Sequence, residues 1–150
     1  MNDLLAQVSH HPFLEGMVAE HSRILAEHAM PVSFAAGETI FKEGEPANRF
    51  YLIQEGHVLL SADRGRESRV PVQTIGSGEV LGWSWLFPPY YWHFTASAVD
   101  PVKAMFFYGT RLRERCDVDT DLGYDLMKRV AKVVIDRLQR SRLKFLAENG

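Results

Sequence analysis

The sequence predicts a mainly β fold, a compact barrel or jelly roll flanked by helices. Three observations carry that reading. Between Pro31 and Tyr108 the apolar segments are short and are punctuated by glycine, the mark of several strands joined by tight turns. Ahead of them, residues 17–29 show helical spacing, with Met17 and Val18 followed by Ile24 and Leu25. Behind them, residues 121–150 form the longest helical pattern in the chain.

The elements follow in order. A short helix around Asp3 to Val8 precedes the one over residues 17–29. The strands are expected in "VSF", "ETIFKEG", "RFYLIQEG", "HVLLSAD", "RVPVQTIGSG" and "EVLG", with Gly37, Gly44, Gly56, Gly65, Gly76 and Gly78 at their turns. "ADRGRES" reads as a hairpin tip, and "PVKAMFFY" as one more strand. In the long helix Leu122, Leu126, Val130, Val133, Val134 and Leu138 recur at three- and four-residue steps. Asp117, Asp119 and Asp121 load its start, and Arg137, Arg140, Arg142 and Lys144 its end, both as the helix dipole favours. Ala131, Ile135 and Phe145 widen the apolar stripe, which implies burial on two sides. The expected partner for the second side is another copy of the helix, over residues 118–146; the alternative is one helix lying in a groove of its own barrel. The division expected is 1–30 for N-terminal helices, 31–108 for the roll and 109–150 for C-terminal helices, all in one domain.

Composition narrows the function. At 46% hydrophobic and 24% charged residues the chain is globular in type, and a net charge of −2 gives no general attraction to nucleic acid or anionic lipid. The single cysteine, Cys116, rules out an internal disulfide and fits a reducing, cytoplasmic setting. The start "MNDLLAQVSHHP" lacks the basic head and apolar run of a secretory signal. Val80 to Val99 is uncharged over about one membrane thickness, yet Pro88-Pro89 and His93 interrupt it, so it is read as interior and pocket.

That stretch, "GEVLGWSWLFPPYYWHFTASA" (78–98), holds all three tryptophans. No lysine or arginine lies between Arg69 and Lys103. The aromatic residues Trp83, Trp85, Tyr90, Tyr91 and Trp92, with His93, could line a pocket for a flat or weakly charged ligand, fill space, or form a protein-docking surface.

The run Phe34 to Val58, "FAAGETIFKEGEPANRFYLIQEGHV", resembles the front half of a cyclic-nucleotide-binding domain, the effector domain of CRP/FNR regulators. Phe34, Gly37-Glu38, Ile40-Phe41, Glu43-Gly44, Tyr51-Leu52-Ile53, Glu55-Gly56 and Val58 carry the likeness, and the order of elements extends it over essentially the whole chain. The resemblance implies an eight-stranded β-roll, or double-stranded β-helix, with a short internal helix and a long terminal one. It also implies that residues 78–98 stand where the family has its phosphate-binding cassette. There the family places a Gly-Glu at the helix start and an Arg-Ser/Thr-Ala further on. Here Gly82 matches, Trp83 stands at the acid position, and Trp92 or His93 falls at the arginine position. Phe94-Thr95-Ala96 keeps only the tail of the motif. Loss of a buried charge's partner costs roughly 3–5 kcal/mol, enough to turn a micromolar binder into a roughly millimolar one.

The expected site is therefore Gly82, Trp83, Ser84, Trp85, Leu86, Trp92, His93, Phe94, Thr95 and Ala96. Gly82 to Trp85 would offer helix-start amides, the tryptophans stacking, and His93 and Thr95 polar contacts. The expected role is a non-catalytic sensor for a non-standard ligand or a protein partner; the alternatives are a cyclic-nucleotide receptor with an unusual pose and a structural adaptor. The cofactor is left unknown: haem on His57 or His93 has no motif behind it. No metal set or catalytic cluster is expected; His21 and His28 lie among glutamates on an expected surface, and Cys116 has no histidine near it in sequence. In CRP/FNR regulators a helix-turn-helix follows the long helix; residues up to Gly150 contain none, so DNA binding is not expected without an added domain, nor is a membrane.

Overall fold

The computed structural model describes residues 2–64 and 68–149. Two helices, α1 (Asn2–Ser9) and α2 (Ala19–Glu27), lead into eight strands. These are β1 (Ala29–Phe34), β2 (Thr39–Phe41), β3 (Arg49–Glu55), β4 (Val58–Asp63), β5 (Arg69–Ile75), β6 (Val80–Leu81), β7 (Thr95–Ala98) and β8 (Val102–Tyr108). Helices α3 (Gly109–Val118) and α4 (Thr120–Asn149) close the chain. The strands form two antiparallel four-stranded sheets, in the orders β1-β8-β3-β6 and β2-β7-β4-β5. This is the expected roll. The expected hairpin tip at Gly65 to Glu67 lies outside the described residues.

The period-2 geometry of a strand sends alternate side chains to opposite faces. In β3 and β8 both faces are buried. Phe50, Leu52, Met105 and Phe107 join a core beneath the helices, with Leu14, Leu25, Trp85, Leu112, Leu122 and Leu126. Tyr51, Ile53, Val102 and Ala104 point into the roll, with Ile40, Phe41, Val58, Leu60, Leu81 and Trp92. That is why these strands read as continuous apolar runs rather than as alternating ones.

The C-terminal region differs from expectation at its start. Asp117 belongs to α3, and the Asp119 carboxylate accepts the Leu122 amide at 3.2 Å, capping α4 as a new helix. Helix α4 turns Leu122, Leu126, Val130 and Arg137 to the roll and buries them. Tyr124, Met127, Ala131, Leu138 and Phe145 lie exposed on the other side. His21 is also not the solvated residue expected: it is half-buried, with Nε2 3.9 Å from the Asp119 carboxylate. No described helix is long and apolar enough to cross a membrane.

Candidate functional site

The site is built where β6 ends. Gly82 adopts φ +96°, and a Cβ there would lie 3.0 Å from Cη2 and Cζ3 of Trp92. Only glycine suits both the left-handed backbone and the close ring. One 3₁₀ turn, Ser84–Leu86, follows, and the chain returns through Trp92 to β7. The return is pinned by backbone bonds to the β2–β3 connection: Gly44 donates to the Trp92 carbonyl at 2.9 Å, Trp92 to that of Glu45 at 3.0 Å, and Ala47 to that of Tyr90 at 2.7 Å.

These bonds drive the Trp92 indole into the roll. It is 3% exposed and lies flat on Phe41, with ring centroids 3.8 Å apart and planes 9° from parallel. The Arg49 guanidinium sits 5.7 Å from the Trp92 ring, within cation–π range. Its donors are committed to Tyr51 Oη at 2.8 Å, Asn48 Oδ1 at 2.9 Å and the Ile40 carbonyl at 3.3 Å. A cavity of about 20 Å³ remains between Gly82, Trp83, Ser84, Trp92, His93 and Phe94, room for about one water. At its mouth Trp83 stacks on His93 with centroids 5.4 Å apart, and Ser84 Oγ lies 2.9 Å from His93 Nδ1.

Six of the ten expected site residues thus line one small space. The other four do not. Trp85 is 1% exposed and packs on Phe50, centroids 4.9 Å apart, in the core beneath the helices. Leu86 faces a separate cleft of about 440 Å³, shared with Tyr90, Arg113, Cys116 and Tyr124. Thr95 Oγ1 is spent accepting the Glu43 amide at 3.0 Å, and Ala96 is buried between strand partners Leu60 and Phe41. The expected helix-start amides are also corrected: three residues of 3₁₀ turn build almost no dipole. Tyr90 lies under the Arg113 guanidinium, 3.9 Å from ring centroid to Cζ, and Tyr91 is half-exposed beyond it. His57, the other candidate haem ligand, holds Asp100 at 2.7 Å on the exposed surface.

The space is not short of a cation, contrary to the expectation from residues 69–103. Arg137 of α4 lines it. The side chain is only 9% exposed. Its guanidinium donates to the Val80 carbonyl, Nε has no partner, and it forms no ion pair among the described residues. Burial draws it down to about 10, with Glu79 opposing and Arg140 assisting that shift, so it stays charged at neutral pH. The nearby carboxylate is already engaged, since Glu79 accepts from Arg140 at 2.6 Å and from the Gly76 amide at 2.9 Å. Spacing carried the signal that charge patterning hid: Arg137 follows Val130 and Val133 by seven and four residues, on the core face.

Beside the small space runs a cavity of about 190 Å³ between the roll and α4. Leu60, Val72, Trp83, Phe94, Val134 and Leu138 form its apolar walls. Arg137, Gln73 and Ser141 are its polar members. Gln73 Nε2 is bound to the Arg137 carbonyl at 2.6 Å and to Ser141 Oγ at 3.0 Å, tying β5 to the helix.

Residues 31–119 match the family model of the cyclic nucleotide-binding domain. A structure of cyclic nucleotide-binding type from Geobacter metallireducens GS-15 superposes with TM-score 0.81 at 31% identity, covering 89% of this chain and 96% of that one. The N-terminal domain of a transcriptional regulator from Streptomyces coelicolor A3(2) does so with TM-score 0.68 at 25% identity, covering 92% and 94%. The CRP-like cAMP-activated global transcriptional regulator of Mycobacterium tuberculosis is 27% identical over 143 residues, 94% of this chain. The chain spans 60% of that relative's length.

Proposed function

The chain belongs to the cyclic nucleotide-binding domain family, and from that premise we propose that it is a non-catalytic sensor module whose ligand is not a cyclic nucleotide. One observation carries the reading: the Trp92 indole, stacked on Phe41, occupies the interior next to Gly82 and leaves about 20 Å³. A sugar-phosphate ring needs far more room, and expelling a buried tryptophan forfeits roughly 3–5 kcal/mol. Trp83 at the position of the family's acid, and Trp92 or His93 at that of its arginine, support the same conclusion.

The signal leaves through α4. Arg137 and Arg140 hold the β6 region at Val80 and Glu79, and Gln73 of β5 holds the Arg137 carbonyl. A ligand that favours one setting of these bonds shifts the helix with it. The stripe Tyr124, Met127, Ala131, Val134, Leu138 and Phe145, exposed except for the half-buried Val134, advances largely by alternating three- and four-residue steps, the seam of a two-stranded coiled coil. That pattern supports a homodimer through α4.

A second reading, a cyclic-nucleotide receptor with a displaced pose, draws on Arg137 as a cation beside the cassette. A thermal-shift panel separates the two. Cyclic mono- and dinucleotides are expected to leave the melting temperature unchanged, whereas a true ligand at a hundred times its dissociation constant stabilises by about 2.7 kcal/mol. Stabilisation by cyclic AMP would favour the second reading.

A further inference from the structure

A buried guanidinium without a counter-ion is costly, because five N–H donors leave water together with the charge. Arg137 gives one backbone carbonyl a bond and leaves Nε unmet. It is one of the residues lining a cavity whose walls are otherwise mostly apolar, Gln73 being engaged with Ser141 and the helix backbone. The cavity's 190 Å³ falls below the roughly 300–1,000 Å³ of sites for larger ligands. We propose that this cavity binds a small amphipathic monocarboxylate, with its carboxylate on the Arg137 guanidinium and its aliphatic or aromatic body against Trp83, Phe94, Val134 and Leu138.

The choice of class follows from charge, shape and polarity. One guanidinium balances one negative charge, and its planar fork matches a carboxylate in two parallel hydrogen bonds. A phosphate dianion would leave a charge uncompensated against apolar walls. A polyhydroxylated body would find almost no partners on walls of leucine, valine, phenylalanine and tryptophan. Leu138 also belongs to the exposed seam of α4, with the half-buried Val134 beside it, so an occupant touches side chains that a second helix would cover.

The proposal rests on the sensor reading of this site, and its test is arranged so that the two can fail separately. Hexanoate and 3-phenylpropionate are titrated into the full chain by calorimetry, with Trp fluorescence as a second readout. The corresponding amides, inorganic phosphate and cyclic AMP serve as comparisons. Saturable binding of the acids is expected, at least tenfold tighter than that of the amides. Arg137→Met should abolish this preference, and Arg137→Lys should restore part of it. No saturable binding of either acid, equal affinity for acid and amide, or an unchanged preference in Arg137→Met would overturn the proposal. The acid-to-amide comparison on the unaltered chain decides the matter even if a variant does not fold. Saturable uptake of cyclic AMP would instead defeat the sensor reading beneath it.

Discussion

Gly82 and Trp92 meet so closely that a Cβ on the glycine would sit 3.0 Å from two atoms of the indole ring. The backbone at Gly82, at φ +96°, is one that an L side chain adopts only at a cost of about 1–3 kcal/mol. Gly82→Ala is therefore expected to lower the free energy of unfolding by at least that amount, with the Cβ–indole contact adding to it, read as a reduced urea midpoint. Truncating the ring in Gly82→Ala/Trp92→Leu should relieve the contact but not the backbone strain, so the two losses should sum to less than additive. Strict additivity would mean that the two residues do not press on each other.

Arg137 is held in the protein at the expense of stability. Its charge is buried without a carboxylate partner among the described residues. Even a buried ion pair can often be replaced by apolar side chains of similar volume with no loss or with a gain of about 1–4 kcal/mol, and a buried charge without a partner has less attraction to lose. Arg137→Met is expected to raise the urea midpoint in the absence of ligand. A marked fall would show that the bond to Val80 outweighs the cost of burial.

His11 makes stability depend on pH. The ring is buried, with Nε2 2.9 Å from the Ile53 carbonyl and Nδ1 accepting the Phe13 amide at 3.2 Å. That arrangement fits the neutral ring, with Nε2 as donor. Burial lowers its pKa below the ordinary 6.5, although the bond to Ile53 acts in the opposite direction. The unfolded chain then takes up the proton first. The stability is fully present above 6.5 and is lost as the pH falls toward the folded-state value. His11→Gln should flatten this part of the decline as the pH falls below 6.5, seen in urea titrations at several pH values. Parallel declines in both proteins would exclude His11 as the cause.

Leu138 is 67% exposed, so Leu138→Glu should leave the monomer's fold intact. If α4 pairs with a second copy, a charge in the seam should drive the protein to monomer in sedimentation velocity. An unchanged sedimentation coefficient would place any self-association elsewhere.

Much of the fold was legible because it is periodic. The glycine-separated strands, the apolar runs Phe50 to Ile53 and Met105 to Phe107, and the two apolar faces of α4 all follow from spacing. The site was only half legible, because a loop has no period to tell which way each ring points. Trp83, Trp85 and Trp92 are neighbours in sequence, yet one lines the cavity mouth, one joins the core beneath the helices, and one fills the roll. Arg137 was hidden for a different reason. Positive charge near a helix end has an easy explanation in the dipole, and that explanation overrode a spacing that put this arginine among buried residues.

The most direct test is isothermal titration of cyclic AMP into the unmodified protein at neutral pH. With Trp92 seated on Phe41, no saturable heat is expected at micromolar protein. Tight uptake at one nucleotide per chain would contradict the account, because the indole and a nucleotide cannot share that space.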